Sequence, residues 1–326
     1  MDKLKRFEGL KVLISGGAGF LGSWLCEYIL EEGGTVICVD NCITGGWQNI
    51  RHLKSNPNFT FVYYDVSNPK IIEDFSMMGL DIIFHYASIA SPTSFGTKPI
   101  MILDTNLIGT KNMLEVARRN DARLVFASSS EVYGNIPAEQ IPVKESYTGN
   151  VNIIGVRGCY DEGKRGGEAY CLAYIRKYEV DARITRIHNT FGERMQDDGR
   201  AVPKFIKMAL KGKDIPIFGD GTQTRCFTYV DDLVSGIMSQ SLADGVTGVP
   251  INFGSQQEIT VCQLAERILD LTRSKSNLKF YDWLPDEPLR RKPDISRAKA
   301  LLNWEPVVTL DEGLRYTIDY WKEQLL

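Results

Sequence analysis

The stretch Lys11-Val12-Leu13-Ile14-Ser15-Gly16-Gly17-Ala18-Gly19-Phe20-Leu21-Gly22 decides the fold. A short apolar run leads directly into three glycines spaced three apart, and a helical stretch over 21–32 opens at the last of them. Strand, turn and helix in that order predict a phosphate-binding turn. Gly16 makes the bend, Gly19 lets backbone approach a pyrophosphate, and Gly22 lets the helix pack on the strand. Phe20 and Leu21 begin the helix, whose free N–H groups and dipole favour an anion. The next apolar run, 35–39, ends at Asp40, 18 positions past Gly22. That is close to the roughly 20 expected for a carboxylate gripping an adenosine ribose. Asn41 follows it, with no arginine to accept a 2′-phosphate, so the pattern favours NAD over NADP.

Outward from the turn, short runs rich in β-branched and aromatic residues (12–15, 35–39, 59–64, 81–86, 123–127 and 183–187) alternate with helical stretches. The helices are expected at 21–32, before Gly79, at 100–119 and at 160–178. Such alternation predicts an α/β fold, a Rossmann-like doubly wound parallel sheet covered on both faces. The regularity ends near Thr190, where smaller units follow: helices at 203–211, 262–272 and 310–324, and a strand at 251–253. The expected division is a dinucleotide domain over 1–189 and a smaller α/β substrate lobe over 190–326, with the chain crossing between them.

Composition narrows the function. With 43% hydrophobic and 24% charged residues the chain is ordinary for a water-soluble domain protein, and a net charge of −3 offers no basis for nucleic acid or an anionic membrane as partner. The seven cysteines lack Cys-x-x-Cys spacing and several sit in apolar runs, as buried thiols in a reducing compartment do. The polar N-terminus, and the lack of an apolar run near 18 residues, make the cytoplasm the expected location.

The chemistry is concentrated in two places. Tyr160 and Lys164 stand four apart, on one face of the expected helix, where an ammonium lowers the pKa of a phenol and prepares it to accept a proton. The run Ala127-Ser128-Ser129-Ser130-Glu131-Val132-Tyr133-Gly134 ends the 123–127 strand, at the sheet edge where ligands bind. Ser129 there can hydrogen-bond a substrate hydroxyl and Glu131 can shuttle a proton. Asp65 and Val66, after the third strand, either receive the adenine edge or form a plain turn.

Taken together, the glycine turn, the serine run, Tyr160-x-x-x-Lys164 and Thr224-Arg225-Cys226-Phe227-Thr228-Tyr229-Val230-Asp231-Asp232 resemble the extended short-chain dehydrogenase/reductases, the NAD-dependent epimerase/dehydratase family, over roughly 9–323. Within it the stretches 160–165 (Tyr-Asp-Glu-Gly-Lys-Arg) and 291–295 (Arg-Lys-Pro-Asp-Ile) are similar to the branch that decarboxylates UDP-glucuronate to UDP-xylose. The resemblance implies bound NAD, a UDP-sugar substrate, no metal and a homodimer. It implies that Tyr160 deprotonates the sugar 4-hydroxyl, Lys164 holds the nicotinamide ribose and the phenolate, and Ser129 bonds near O4. Glu131 then handles the C5 proton, positions the ring or orders a water. Arg291 lies near the sugar carboxylate or, as in sister epimerases, the diphosphate. Asn189 and Arg225 are implied on the diphosphate, and Ala87, Ser88 and Asn106 on the nicotinamide side. Dimer contacts are expected on 100–119 and 159–178, through Leu107, Met113, Leu172 and Ile175, unless these cover the sheet instead. The chain departs from the family around the sugar pocket, with Gly192-Glu193-Arg194-Met195, Pro203-Lys204 and Thr148-Gly149. A GDP-mannose-type 4,6-dehydratase, a UDP-sugar 4-epimerase and a non-catalytic NAD sensor stay open as alternatives.

Overall fold

The computed structural model describes residues 5–283 and 289–325. Six strands carry the first half: β1 (Lys11–Ser15), β2 (Thr35–Asp40), β3 (Phe59–Tyr63), β4 (Ile82–His85), β5 (Arg123–Ser129) and β6 (Ala182–Ile187). They form one parallel sheet in the order β6-β5-β4-β1-β2-β3, and the strand Pro250–Phe253 joins it beyond β6. The order reverses at β1 and β4, the switch point where a doubly wound sheet opens its ligand crevice.

Alternation along β1 shows how the layers form. Val12 and Ile14 face a core shared with Leu25 and Ile29 of the helix Phe20–Glu31. Leu13 faces the opposite core with Met113, Leu114 and Phe126. The first core continues without a break into Phe205, Leu233, Leu264 and Leu314, so the C-terminal part is built onto the same sheet. Val230–Leu242 packs beside Phe20–Glu31, and Pro250–Phe253 is a strand of the large sheet, so chain from beyond residue 190 belongs to the first layer set. Outside the sheet stand the three-stranded assembly Glu258–Thr260, Thr224–Cys226 and Arg290–Arg291, and the pair Ile215–Phe218 with Leu278–Tyr281.

Two expectations change. The helix expected over 100–119 is Pro99–Asp104 and Thr110–Asn120 joined by a π-helical turn, Thr105–Gly109. Thr110 there spends its hydroxyl on the Asn106 carbonyl (2.6 Å) and on His85 (3.0 Å). Met113 is wholly buried, and Leu172 and Ile175 pack against the same core, so these residues cover the sheet. The apolar side chains these helices leave exposed are Ile100, Met101 and Ile108.

The glycine turn is held by steric necessity. Gly16 has φ +75°, and a Cβ there would lie 2.5 Å from the Ala87 backbone nitrogen. A Cβ on Gly22 would strike the Gly16 carbonyl, so the helix packs on the turn itself. Gly22→Ala is expected to cost about 1–3 kcal/mol by overpacking, read from urea unfolding. A variant within about 0.5 kcal/mol of the wild type would show that the turn relaxes freely.

Candidate active site

A cavity of about 730 Å³ runs from the glycine turn, past the ends of β4 and β5, to the C-terminal strands. Among the described residues, six cations line it (Arg157, Lys164, Arg200, Lys204, Arg225 and Arg291) against three carboxylates (Asp40, Glu131 and Asp198). A chain with a net charge of −3 thus encloses a basic cleft, which suits a ligand with several negative charges.

At one end, Gly16, Gly19, Phe20, Leu21 and Gly22 lie along the wall. Gly19 caps the helix without a side-chain hydrogen bond, and the first turn holds no acidic residue, so its N–H groups are available to an anion. Asp40 is buried and already accepts from Ala18 N (2.9 Å) and Cys42 N (2.7 Å). Burial raises its pKa against those bonds, and each oxygen keeps a lone pair for a ribose hydroxyl. The two glycine contacts, the uncapped helix and Asp40 together fit a dinucleotide. Asn41, Val66, Ala87 and Ser88 also line this end. Asp65 and Asn106 are not among the described residues that do. Asp65 bonds Ser67 (2.8 Å) and takes the Asn41 amide (3.1 Å), so it closes its own turn and supports Asn41. Asn106 sits behind Ser88, whose hydroxyl it accepts at 2.8 Å, and its amide nitrogen is buried without a partner.

At the centre, the helix Gly158–Tyr178 brings Tyr160 and Lys164 to the end of β5. Ser129 ends that strand, accepts from Glu131 N (3.2 Å), and hydrogen-bonds the Tyr160 phenol. Phe95 stacks on Tyr160 with ring centroids 5.3 Å apart. The expected lowering of the phenol pKa is overturned. Burial pushes Tyr160 up to about 12, with Ser129 and Arg200 opposing and Glu131 adding to the rise. Burial also pulls Lys164 down to about 7, and its Nζ donates to the Ala127 carbonyl (2.8 Å). Burial shifts each group toward its neutral form, so the i,i+4 pair alone does not make a phenolate.

Beside them lies a carboxylate held by two arginines. Arg291 forks onto both oxygens of Glu131, Nη1 to Oε1 and Nη2 to Oε2, the latter at 2.5 Å. Arg157 reaches Oε2 at 2.6 Å. Burial would raise the Glu131 pKa, yet the two arginines hold it down to about 2. Next to it Asp161 is pushed up to about 7, by burial first and then by the Glu131 charge. Arg291 pairs in register with Arg225 on the neighbouring strand, so both guanidinium groups face the cavity from one small sheet. Asn189 follows β6 and lines the same end, as do Lys204, Phe218 and Gln223. Lys204 lies over the Phe218 ring at 5.5 Å.

All five catalytic candidates, Ser129, Glu131, Tyr160, Lys164 and Arg291, therefore meet in one cavity. Sequence reading gave no role to Arg157 or Phe95, and marked Lys204 only as a departure beside the sugar pocket. Arg157 had a signal: it precedes Tyr160 by three residues, at the helix N-terminus, where a cation opposes the dipole and calls for a reason. Phe95 had none, because its loop is distant in sequence from everything it touches.

The chain is similar to proteins of known family. The model of the NAD dependent epimerase/dehydratase family matches residues 12–254. UDP-glucuronic acid decarboxylase 1 of Danio rerio is 46% identical over 316 residues, 97% of this chain and 73% of the relative. UDP-glucuronic acid decarboxylase 2 of Arabidopsis thaliana is 44% identical, covering 99% and 70%. Among solved structures, UDP-glucuronic acid 4-epimerase of Bacillus cereus, in complex with UDP-glucuronic acid and NAD, matches with a TM-score of 0.88 at 28% identity, covering 97% of this chain and 100% of that one.

The Glu131 pair gives a stability test. Its folded pKa, about 2, lies below the ordinary 4.5, so its contribution is complete above about pH 4.5 and is lost as pH falls through about 2. Arg291→Met is expected to cost about 3 kcal/mol near neutrality, with the gap to wild type closing as the pH approaches about 2. Urea unfolding across that range checks it, and a gap independent of pH would assign the loss to packing.

Proposed function

We propose that this chain, which belongs to the NAD dependent epimerase/dehydratase family, is a UDP-glucuronate decarboxylase that forms UDP-xylose. The observation that carries the reading is Glu131, buried and ionised between Arg291 and Arg157, beside the Tyr160–Ser129 pair. An enzyme that only exchanges hydride at one carbon needs the phenol and the lysine. Paired arginines and a second buried acid suit a substrate that carries its own carboxylate next to that carbon.

Tyr160 takes the proton of the sugar 4-hydroxyl while Ser129 holds the oxygen. Gly16, Gly19, Gly22 and Asp40 would hold NAD, which when bound would supply a reversible hydride acceptor for C4 and so would not be consumed. A ketone at C4 makes the C5 carboxylate a β-keto acid, and carbon dioxide leaves while the bonding pair moves onto the C4 oxygen. The charge of Arg200 already opposes the burial at Tyr160, and it favours the anionic oxygens of this stage. Glu131 is ionised at neutral pH, so it orders the water that delivers a proton to C5, or positions the sugar ring to receive it, and does not itself start as the acid. Arg291 receives the carboxylate before it leaves. Arg225, Asn189 and Lys204 hold the diphosphate, and Phe218 lies on the nucleoside side.

One further point supports the reading. Relatives near 45% identity over almost the whole chain carry the decarboxylase name, whereas the epimerase structures lie near 28%. Among the described residues no helix is long and apolar enough to cross a membrane. For assembly we infer a homodimer that uses the exposed Ile100, Met101 and Ile108 on the helices flanking Thr105–Gly109.

Purified protein given UDP-glucuronate, GDP-mannose and UDP-glucose, with products read by mass, is expected to release carbon dioxide and UDP-pentose from the first alone. A dehydrated or epimerised product would replace the assignment. Tyr160→Phe is expected to lower kcat about 10²–10⁴-fold while NAD affinity stays nearly intact. Near-normal turnover would remove Tyr160 from the proton transfer.

A further inference from the structure

We propose that Arg157 is the positioning residue for Glu131, holding it in place when Arg291 turns to the carboxylate of the substrate. This rests on the decarboxylase reading. In the structure Arg291 gives its whole fork to Glu131; Arg291 is buried and Glu131 nearly so, with side chains 6% and 13% exposed. A sugar carboxylate at Arg291 competes with Glu131 for the same guanidinium. A buried carboxylate deprived of its only cation is strongly disfavoured and takes up a proton. Glu131 escapes this because Arg157 already bonds Oε2 from another element.

The two arginines reach Glu131 from separate elements. Arg291 stands on a short strand of the C-terminal part, and its Nε is buried without a hydrogen-bond partner, so its present fit to Glu131 leaves one donor unspent. Arg157 stands at the start of the Tyr160 helix and lies over the Phe95 ring at 5.4 Å, the ring that also stacks on Tyr160. Arg157 therefore ties Glu131 to the proton acceptor, and Arg291 ties it to the substrate side. Charge points the same way: Arg157, Arg291 and Glu131 sum to one surplus positive charge, which one substrate carboxylate neutralises.

The groups that face Glu131 are Arg291 from the strand, Arg157, Tyr160 and Asp161 from the helix start, and His188 after β6. Burial keeps His188 neutral, down to about 3, and Asp161 is 3.9 Å from the Arg157 Nε, with one oxygen unpartnered. Removing Arg157 leaves Glu131 with a cation that the substrate also claims, so its carboxyl should titrate at higher pH.

The test is the kcat–pH profile of Arg157→Gln and Arg157→Lys with UDP-glucuronate, with NAD binding as the check on folding. Arg157→Gln should lose about tenfold or more in kcat, with KM changed less than about threefold, and its acid limb should move up by about one pH unit or more. Arg157→Lys, which keeps the charge and also serves if the Gln variant does not fold, should recover most of both. A raised KM with the acid limb unmoved would make Arg157 the carboxylate ligand and overturn the proposal, as would two variants with wild-type profiles. Carboxyl ¹³C titration of Glu131 in the ligand-free protein separates the two levels. An upward shift in Arg157→Gln without turnover of UDP-glucuronate by the wild type would sink only the decarboxylase reading. An unmoved Glu131 in an active enzyme would sink only the role of Arg157.

Discussion

Glu131 is a charged carboxylate taken almost out of water, and it survives there because guanidinium groups from two separate elements meet on it. A single surface ion pair contributes little, but breaking a buried one leaves a charge with no solvent to receive it. The strand Arg290–Arg291 and the start of the helix Gly158–Tyr178 are therefore drawn to the end of β5 by the same side chain. That convergence forms the middle of the cavity. The glycine turn at one end and Arg225 at the other are positioned relative to it by the sheet and by the three-stranded assembly.

Burial governs the neighbouring groups as well, with opposite effect. Tyr160 and Lys164 are both dry, and each is shifted toward its neutral form. Glu131 is only slightly more exposed yet is shifted toward its charged form, because its cations are at hydrogen-bond distance and the partner of Lys164 is a carbonyl. The site thus keeps one group permanently charged and two that change protonation when charge develops nearby. Acid and base roles separate on this difference of environment more than on residue type.

Much of this was legible in the sequence. Three glycines between an apolar run and a helix, with Asp40 at the right distance, specify a dinucleotide turn through local sterics alone, and Gly16 and Gly22 meet the constraints that reading requires. The convergence of Ser129, Glu131, Tyr160 and Lys164 was legible because each sits at a strand end or on one helix face. Arg291 came only from resemblance, since no local rule places a short strand 160 positions away against Glu131. The protonation state of Tyr160 could not be read at all. Spacing brought Lys164 near it, but the burial that opposes ionisation, and the Ala127 carbonyl that takes the lysine, are tertiary facts. The π-helical turn at Thr105–Gly109 is of the same kind, because it depends on Asn106 and Thr110 meeting Ser88 and His85.

The central claim is that one buried site oxidises C4, removes the carboxylate from C5 and restores C4 with the same hydride. The most direct measurement uses UDP-glucuronate carrying deuterium at C4, turned over in ordinary water, with a companion run of unlabelled substrate in D2O. The account predicts UDP-xylose that keeps the C4 deuterium in the first run and gains a single deuterium at C5 in the second, with no net NADH. Loss of the C4 label, or a product that retains the carboxylate, would contradict it.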